Sequence, residues 1–315
     1  MNTKLCVYLG EALSEYHFGT AHPFGPLRYD AFYKEFKKRG LEELVIIHTP
    51  VLATEQEIAL FHSESYIEQV RRQSQQGKGF LDYGDTPARK GIYEAATTVV
   101  GTVLKAVDGI MNGHCISAFV PIAGLHHARR DAAAGFCVFN DCAVAIEALQ
   151  KIYGLTRIAY VDIDAHHGDG VFYAFEENAN ICIVDLHEDG HFLYPGSGFA
   201  EESGKYEALG TKLNIPLPPD CKDDIALAAW EKAEAFVRDA EPEFIILQCG
   251  ADSLAGDPIT DMHLSAAFHG HVAIRLTLLA GDLGHGRLLA LGGGGYDLKN
   301  IATAWTAVVE GMLSN

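Results

Sequence analysis

Residues 157–170, Arg157-Ile-Ala-Tyr-Val-Asp-Ile-Asp-Ala-His-His-Gly-Asp-Gly170, open as a β-strand and then change chemistry within a few positions. Ile158 to Val161 is a short apolar run with β-branched and aromatic members, the pattern of a strand covered on both faces. Asp162, Asp164, His166, His167 and Asp169 follow directly. Side chains alternate faces along an extended chain, so Asp162, Asp164 and His166 are expected to point the same way. Ionisable groups gathered on one buried face are costly unless something pairs or ligates them. Carboxylate oxygen with imidazole nitrogen is a ligand set for a divalent metal, zinc among them. An ion-pair network at a helix N-terminus is the alternative this stretch leaves open.

Working outward, apolar strand patterns alternate with helical ones. Strands are expected over 4–9, 116–120, 158–163, 181–186, 244–248 and 287–291. Helices are expected over 28–39, 63–75, 141–153, 171–177, 223–239, 264–279 and 300–313, and Pro87 starts a long one reaching 111. Thr54-Glu-Gln-Glu57 reads as a capping box. The alternation predicts an α/β fold, a mostly parallel sheet flanked by helices on both faces, with residues 1–315 forming a single domain.

Composition narrows the functional class. A formal net charge of −18 argues against nucleic-acid binding and favours the approach of cationic substrates. No run reaches the roughly 18 apolar residues of a membrane span, and the N-terminus enters a strand-like segment without a signal-peptide pattern. A soluble, cytoplasmic protein with no membrane partner is expected. The seven cysteines form no CxxC pair, so reduced thiols are expected rather than a disulfide framework.

The polar clusters recur at one place in the pattern, after strands. The strand at 116–120 runs into Pro121-Ile-Ala-Gly-Leu-His-His127, that at 244–248 into Cys249-Gly-Ala-Asp252, and that at 287–291 into Gly292-Gly-Gly-Gly-Tyr296. Ligands of open parallel sheets sit beyond the carboxyl ends of the strands, so these segments and 162–169 should converge. Converged, Asp164, His166 and Asp252 would give a metal three protein ligands and an open position. His126 and His127 are candidates for general base and acid, oriented by Asp162 and Asp169. The glycine run would swing the Tyr296 phenol towards a developing oxyanion. Singly, each feature has a plainer reading: a structural His-His pair, a helix-capping Asp252, a phosphate loop at 292–295. The last lacks the Lys-Ser/Thr of a P-loop. Together they spell metal-assisted hydrolysis of an amide.

The motifs resemble the zinc-dependent histone deacetylases and their bacterial relatives, on the arginase–deacetylase fold. They occur in that family's order: His22-Pro with Arg28, Gly124-Leu-His-His127, Gly135-Phe-Cys-Val-Phe-Asn-Asp141, Val161 to Gly170, Tyr194-Pro-Gly-Ser-Gly198, Gly250-Ala-Asp252 with Gly256-Asp-Pro258, and Gly292 to Tyr296. The resemblance implies one catalytic zinc on Asp164, His166 and Asp252, with Tyr296 on the substrate carbonyl. It further implies Phe136 and Tyr194 as channel walls, the Gly135 carbonyl on the substrate amide, Asp85 at the rim and Arg28 below the metal. A structural potassium ion is implied behind it, at Asp162, Asp164, His166, Asp185 and Leu186. Tyr194 stands where many members have Phe, and Asp185 where Ser is frequent.

The substrate implied is an Nε-acyl-lysine peptide or protein. A small acetylated amine such as an acetylpolyamine would use the same machinery, but Ile259 is neutral where a gatekeeping acid would favour a polyamine. A non-catalytic acyl-lysine reader is disfavoured by the retained Tyr296 and histidines. A binuclear manganese site of arginase type would want more carboxylates.

Overall fold

The computed structural model describes residues 5–314. Among them, eight strands form one sheet: β1 (Leu5–Tyr8), β2 (Ile46–His48), β3 (Ser117–Val120), β4 (Ile158–Asp162), β5 (Ile181–Glu188), β6 (Lys212–Leu217), β7 (Phe244–Gln248) and β8 (Leu288–Leu291). Every pairing is parallel, in the order β2-β1-β3-β8-β7-β4-β5-β6. The central strands are buried throughout, as their unbroken apolar runs require. Helix Leu298–Leu313 packs against both Leu27–Lys38 and Ala266–Asp282, and Ile92–Met111 packs with Asp141–Lys151. The expected mostly parallel α/β sheet with flanking helices is what forms. Among the described residues no helix is long and apolar enough to cross a membrane.

Local chemistry sets most boundaries. Thr54 and Glu57 form the expected reciprocal capping box. Ser63 caps Glu64–Gln76, and Gly40, at φ 68°, follows the helix that ends at Lys38. The long helix starts at Ile92, not at Pro87. Pro87 instead bridges to Phe80 in a small antiparallel turn, and Gly91 at φ 84° breaks the chain before the helix. Lys4, the first residue of the expected opening strand, lies outside the described residues.

Three further expectations are corrected. Strands β2 and β6 carry no clear sequence pattern; both are sheet edges, where burial is one-sided and Pro216 is tolerated. Cys6 and Cys115 are joined in a disulfide, with Cα atoms 5.9 Å apart, whereas all seven cysteines were expected reduced. The partners stand 109 residues apart in sequence and meet because β1 and β3 are neighbours, a pairing no local spacing announces. Finally, the extended backbone stops at Asp162, so alternation does not align Asp164 and His166. The Asp162 carboxylate accepts from Asp164 N, and the Asp164 carboxylate from His166 N, folding the stretch into successive turns.

Gly101 tests the packing. It sits mid-helix where an added Cβ would overlap the backbone of residues 51–53, which also donates Ala53 N to Thr97 O. Alanine gains about 1 kcal/mol of helix propensity, but overpacking costs about 1–3 kcal/mol. Gly101→Ala should therefore lower the urea midpoint; a raised midpoint would show that the 51–53 strap does not rest on this helix.

Candidate metal centre

The carboxyl ends of β3, β8, β7 and β4 lie side by side and bring the four polar segments to one place. Asp164, His166 and Asp252 have donor atoms within 4.8 Å of one another. His166 Nδ1 lies 3.0 Å from Asp164 Oδ1 and 3.3 Å from Asp252 Oδ2. Both carboxylates are essentially unexposed. Asp164 Oδ2 accepts from Gln248 Nε2 and Gly294 N, and Asp252 Oδ1 accepts from Ala165 N. Asp252 Oδ2 is buried without a hydrogen-bond donor. A buried anionic oxygen without a donor, beside an imidazole nitrogen and a second carboxylate, fits a divalent cation and is costly otherwise. Gly250 and Gly294 close the cradle: a Cβ on either would overlap the Asp164 or Asp252 carboxylate.

The tandem histidines stand beside it. His126 Nδ1 is 2.8 Å from Asp162 and His127 Nδ1 is 2.7 Å from Asp169, while their Nε2 atoms face each other at 3.1 Å. Burial disfavours a His126 cation, but Asp162, with Asp164 and Asp185 behind it, outweighs that and raises it to about 10. Burial and the neighbouring His126 charge push His127 down to about 4, against the pull of Asp169. The site's own charges thus make His126 the more basic ring and His127 the less basic one, with Asp169 accepting the Nδ1–H of His127.

The Tyr296 ring lies 5.8 Å from Phe136, and its phenol is held well above its ordinary value by burial, with Asp252 and Asp164 adding to it. It remains an O–H donor at neutral pH. Phe136 also meets His22 edge-on at 4.5 Å, and the Tyr194 ring meets His127 edge-on at 5.2 Å; a Cβ on Gly135 would overlap the His127 ring. Asp85 lies exposed outside them, its backbone carbonyl accepting from His22 when Nε2 is protonated. Ile259 is half-buried on the loop after β7, its N–H donating to Asp257 Oδ1. Arg28 is fully buried beneath, donating to Gly293 O and Gly295 O, with Nη1 unpaired. Asp185 lies behind Asp162, across the β4–β5 pairing, and binds His187 Nδ1 at 2.7 Å and Gly168 N at 2.9 Å; Leu186 follows it on β5.

Several contributors received no role from the sequence. Asp141 accepts Gly124 N and Leu125 N on its two oxygens, fixing the loop that carries the histidines. Gln248 ties Gly124 O, Asp164 and Gly250 N together. Asp257 Oδ2 accepts Tyr296 N at 2.7 Å. Asp141 and Asp257 stand in quoted motifs without an assigned role, and Gln248 is a lone amide ending an apolar strand.

Gly294→Ala should keep the circular dichroism of the wild type yet bind metal at least about tenfold more weakly, the scale of disturbed outer-shell contacts. Unchanged metal affinity would mean the carboxylates do not close on an ion here.

Comparison with known proteins agrees with this geometry. A model of the histone deacetylase domain matches residues 22–312. The acetoin utilization protein AcuC of Bacillus subtilis is 39% identical over 93% of this chain and 78% of its own. Histone deacetylase 8 of Danio rerio is 32% identical over 91% of this chain and 76% of its own. The crystal structure of the HDA15 HD domain superposes with a TM-score of 0.88 at 27% identity, covering 99% of this chain and 90% of that one. The chain belongs to the histone deacetylase family, the zinc-dependent deacetylases that hydrolyse amide bonds.

Proposed function

We propose that the chain, acting as one catalytic domain in the cytoplasm, removes acetyl or other acyl groups from the Nε-amine of lysine in peptides or proteins. The observation that carries this reading is the convergence of Asp164, His166 and Asp252 with the His126–His127 pair, each ring held by its own carboxylate, and with Tyr296. Asp164, His166 and Asp252 would hold one zinc ion, which when bound polarises the substrate carbonyl and makes water acidic. A potassium ion is proposed behind it at the backbone of Asp162, Asp164, His166 and Leu186 with Asp185. Each Asp185 oxygen, though hydrogen-bonded once, keeps a lone pair for it.

The chain's own groups divide the proton work. Neutral His127 takes the proton of the attacking water at Nε2, the water replacing His126 as the donor to that atom, with Asp169 fixing the ring and favouring the charge it acquires. His126, kept cationic by Asp162, is the positive neighbour of the developing tetrahedral centre. His127 then returns its proton to the leaving lysine amine. Tyr296 donates its phenolic hydrogen to the oxyanion. Phe136 and Tyr194 form the walls past which the acyl-lysine slides, the Gly135 carbonyl accepts the substrate N–H, and Asp85 holds the backbone at the rim. Arg28, its Nη1 unpaired, faces a departing carboxylate.

Tyr296→Phe should retain metal but lose about 10²–10³ in turnover, the scale of one missing oxyanion donor. Asp252→Ala should lose the metal itself, as elemental analysis would read. The substrate class is tested by offering acetyl-, propionyl- and longer acyl-lysine peptides beside acetylated polyamines, with and without a chelator. Chelator-sensitive cleavage of the peptides is expected; cleavage of polyamines alone would transfer the chain to small-amine metabolism, and Ile259 would then not act as the neutral wall assigned to it.

A further inference from the structure

A second cluster of ligand-type side chains lies at the edge of the sheet. Cys6 on β1, His48 at the end of β2 and Cys115 on the approach to β3 have donor atoms within 4.8 Å of one another, and they share no residue with the Asp164 centre. The sulfurs are buried, while His48 is half-buried on the edge strand and stacks on Tyr8, ring centroids 5.3 Å apart. Register fixes the arrangement: Cys6 pairs with Ile46 and Tyr8 with His48, so Cys6 and Tyr8 share one face of β1, and His48 lies diagonally across from Cys6.

We propose that the reduced protein binds a second zinc ion through Cys6, Cys115 and His48, and that oxidation to the Cys6–Cys115 disulfide releases it. Two thiolates and an imidazole are a donor set zinc takes, with the half-exposed side of His48 leaving the fourth position to water. A buried dithiol pair resists ionisation in apolar surroundings, and a metal is the agent that deprotonates it at neutral pH. Tetrahedral zinc with bonds of about 2.3 Å to sulfur sets the sulfurs roughly 3.8 Å apart. Cα atoms 5.9 Å apart reach that separation by side-chain rotation, with β1 and β3 left in place. A reducing compartment keeps the pair in this form.

The oxidative step balances with a peroxide as oxidant. One thiolate attacks a peroxide oxygen, giving a sulfenic acid and hydroxide. The other thiolate attacks that sulfur, forming the S–S bond and expelling a second hydroxide. The two sulfurs together lose two electrons, the peroxide oxygens gain them, both hydroxides are protonated to water, and zinc leaves as the dication.

The test uses the full chain, reduced with a phosphine and loaded with zinc, and with cobalt(II) as a spectroscopic probe. Reduced wild type should bind one equivalent more than the His48→Ala variant or the peroxide-treated protein. Its cobalt form should show a thiolate-to-metal charge-transfer band that is absent from the Cys6→Ser, Cys115→Ser double variant. Asp252→Ala should keep this band while losing the other equivalent, which separates the proposal from the fate of the catalytic metal. Equal zinc in reduced wild type and His48→Ala, or disulfide formation without zinc release, would overturn it. If the double serine variant does not fold, the half-exposed His48→Ala decides alone.

Discussion

Asp162, Asp164 and Asp252 are carboxylates with almost no exposure, set next to one another at the carboxyl ends of adjacent strands. Each would cost several kcal/mol to desolvate without compensation. The surrounding chain is arranged to supply it. Tyr160 and His126 attend Asp162; Gln248, Gly294 N and His166 attend Asp164; Ala165 N and His166 attend Asp252. The compensation is weakest at Asp252 Oδ2, which has only the His166 ring nitrogen 3.3 Å away and no hydrogen bond, and a cation there would complete it.

The same constraint explains the glycines. A carboxylate pair drawn to a common point leaves no room for side chains on the backbone passing over it, which is why Gly250 and Gly294 stand where a Cβ would strike Asp164 or Asp252. Beyond that cradle, buried acids and amides hold loops instead of ions. Asp141 grips the Gly124–Leu125 amides, and Asn140 reaches the carbonyls of His126 and Ala128, so the tandem histidines inherit their geometry from the start of a helix.

Much of this was legible in the sequence because parallel-sheet topology is a strong constraint. Once the strands at 117–120, 158–162, 244–248 and 288–291 are recognised, their carboxyl ends must share one rim, and the residues just past them must meet. What was not legible depends on tertiary neighbours. The edge strands β2 and β6 owe their form to a partner on one side, and Lys212 is buried in β6 because its ammonium donates to the carbonyls of Asn178 and Ile181. The Cys6–Cys115 pair exists because β1 and β3 touch. Asp162, Asp164 and His166 do face one centre, but through turns closed by their own carboxylates and not through the strand alternation that first singled them out.

Asp257 shows how the mouth of the channel is joined to its floor. Its Oδ1 accepts the N–H of Ile259, and its Oδ2 accepts the N–H of Tyr296. One nearly buried carboxylate thus sets both the wall proposed to sort substrates and the phenol proposed to meet the oxyanion. The opposite side is built otherwise. Asp85 belongs to a turn closed by Asp82, which accepts the N–H groups of Gly84, Asp85 and Thr86. That turn touches the inner site through Thr86, which receives Phe136 N. Substitutions near Asp85 should therefore disturb the proposed rim and the backbone of Phe136, whereas substitutions around Ile259 that displace Asp257 should disturb the proposed substrate wall and Tyr296 together.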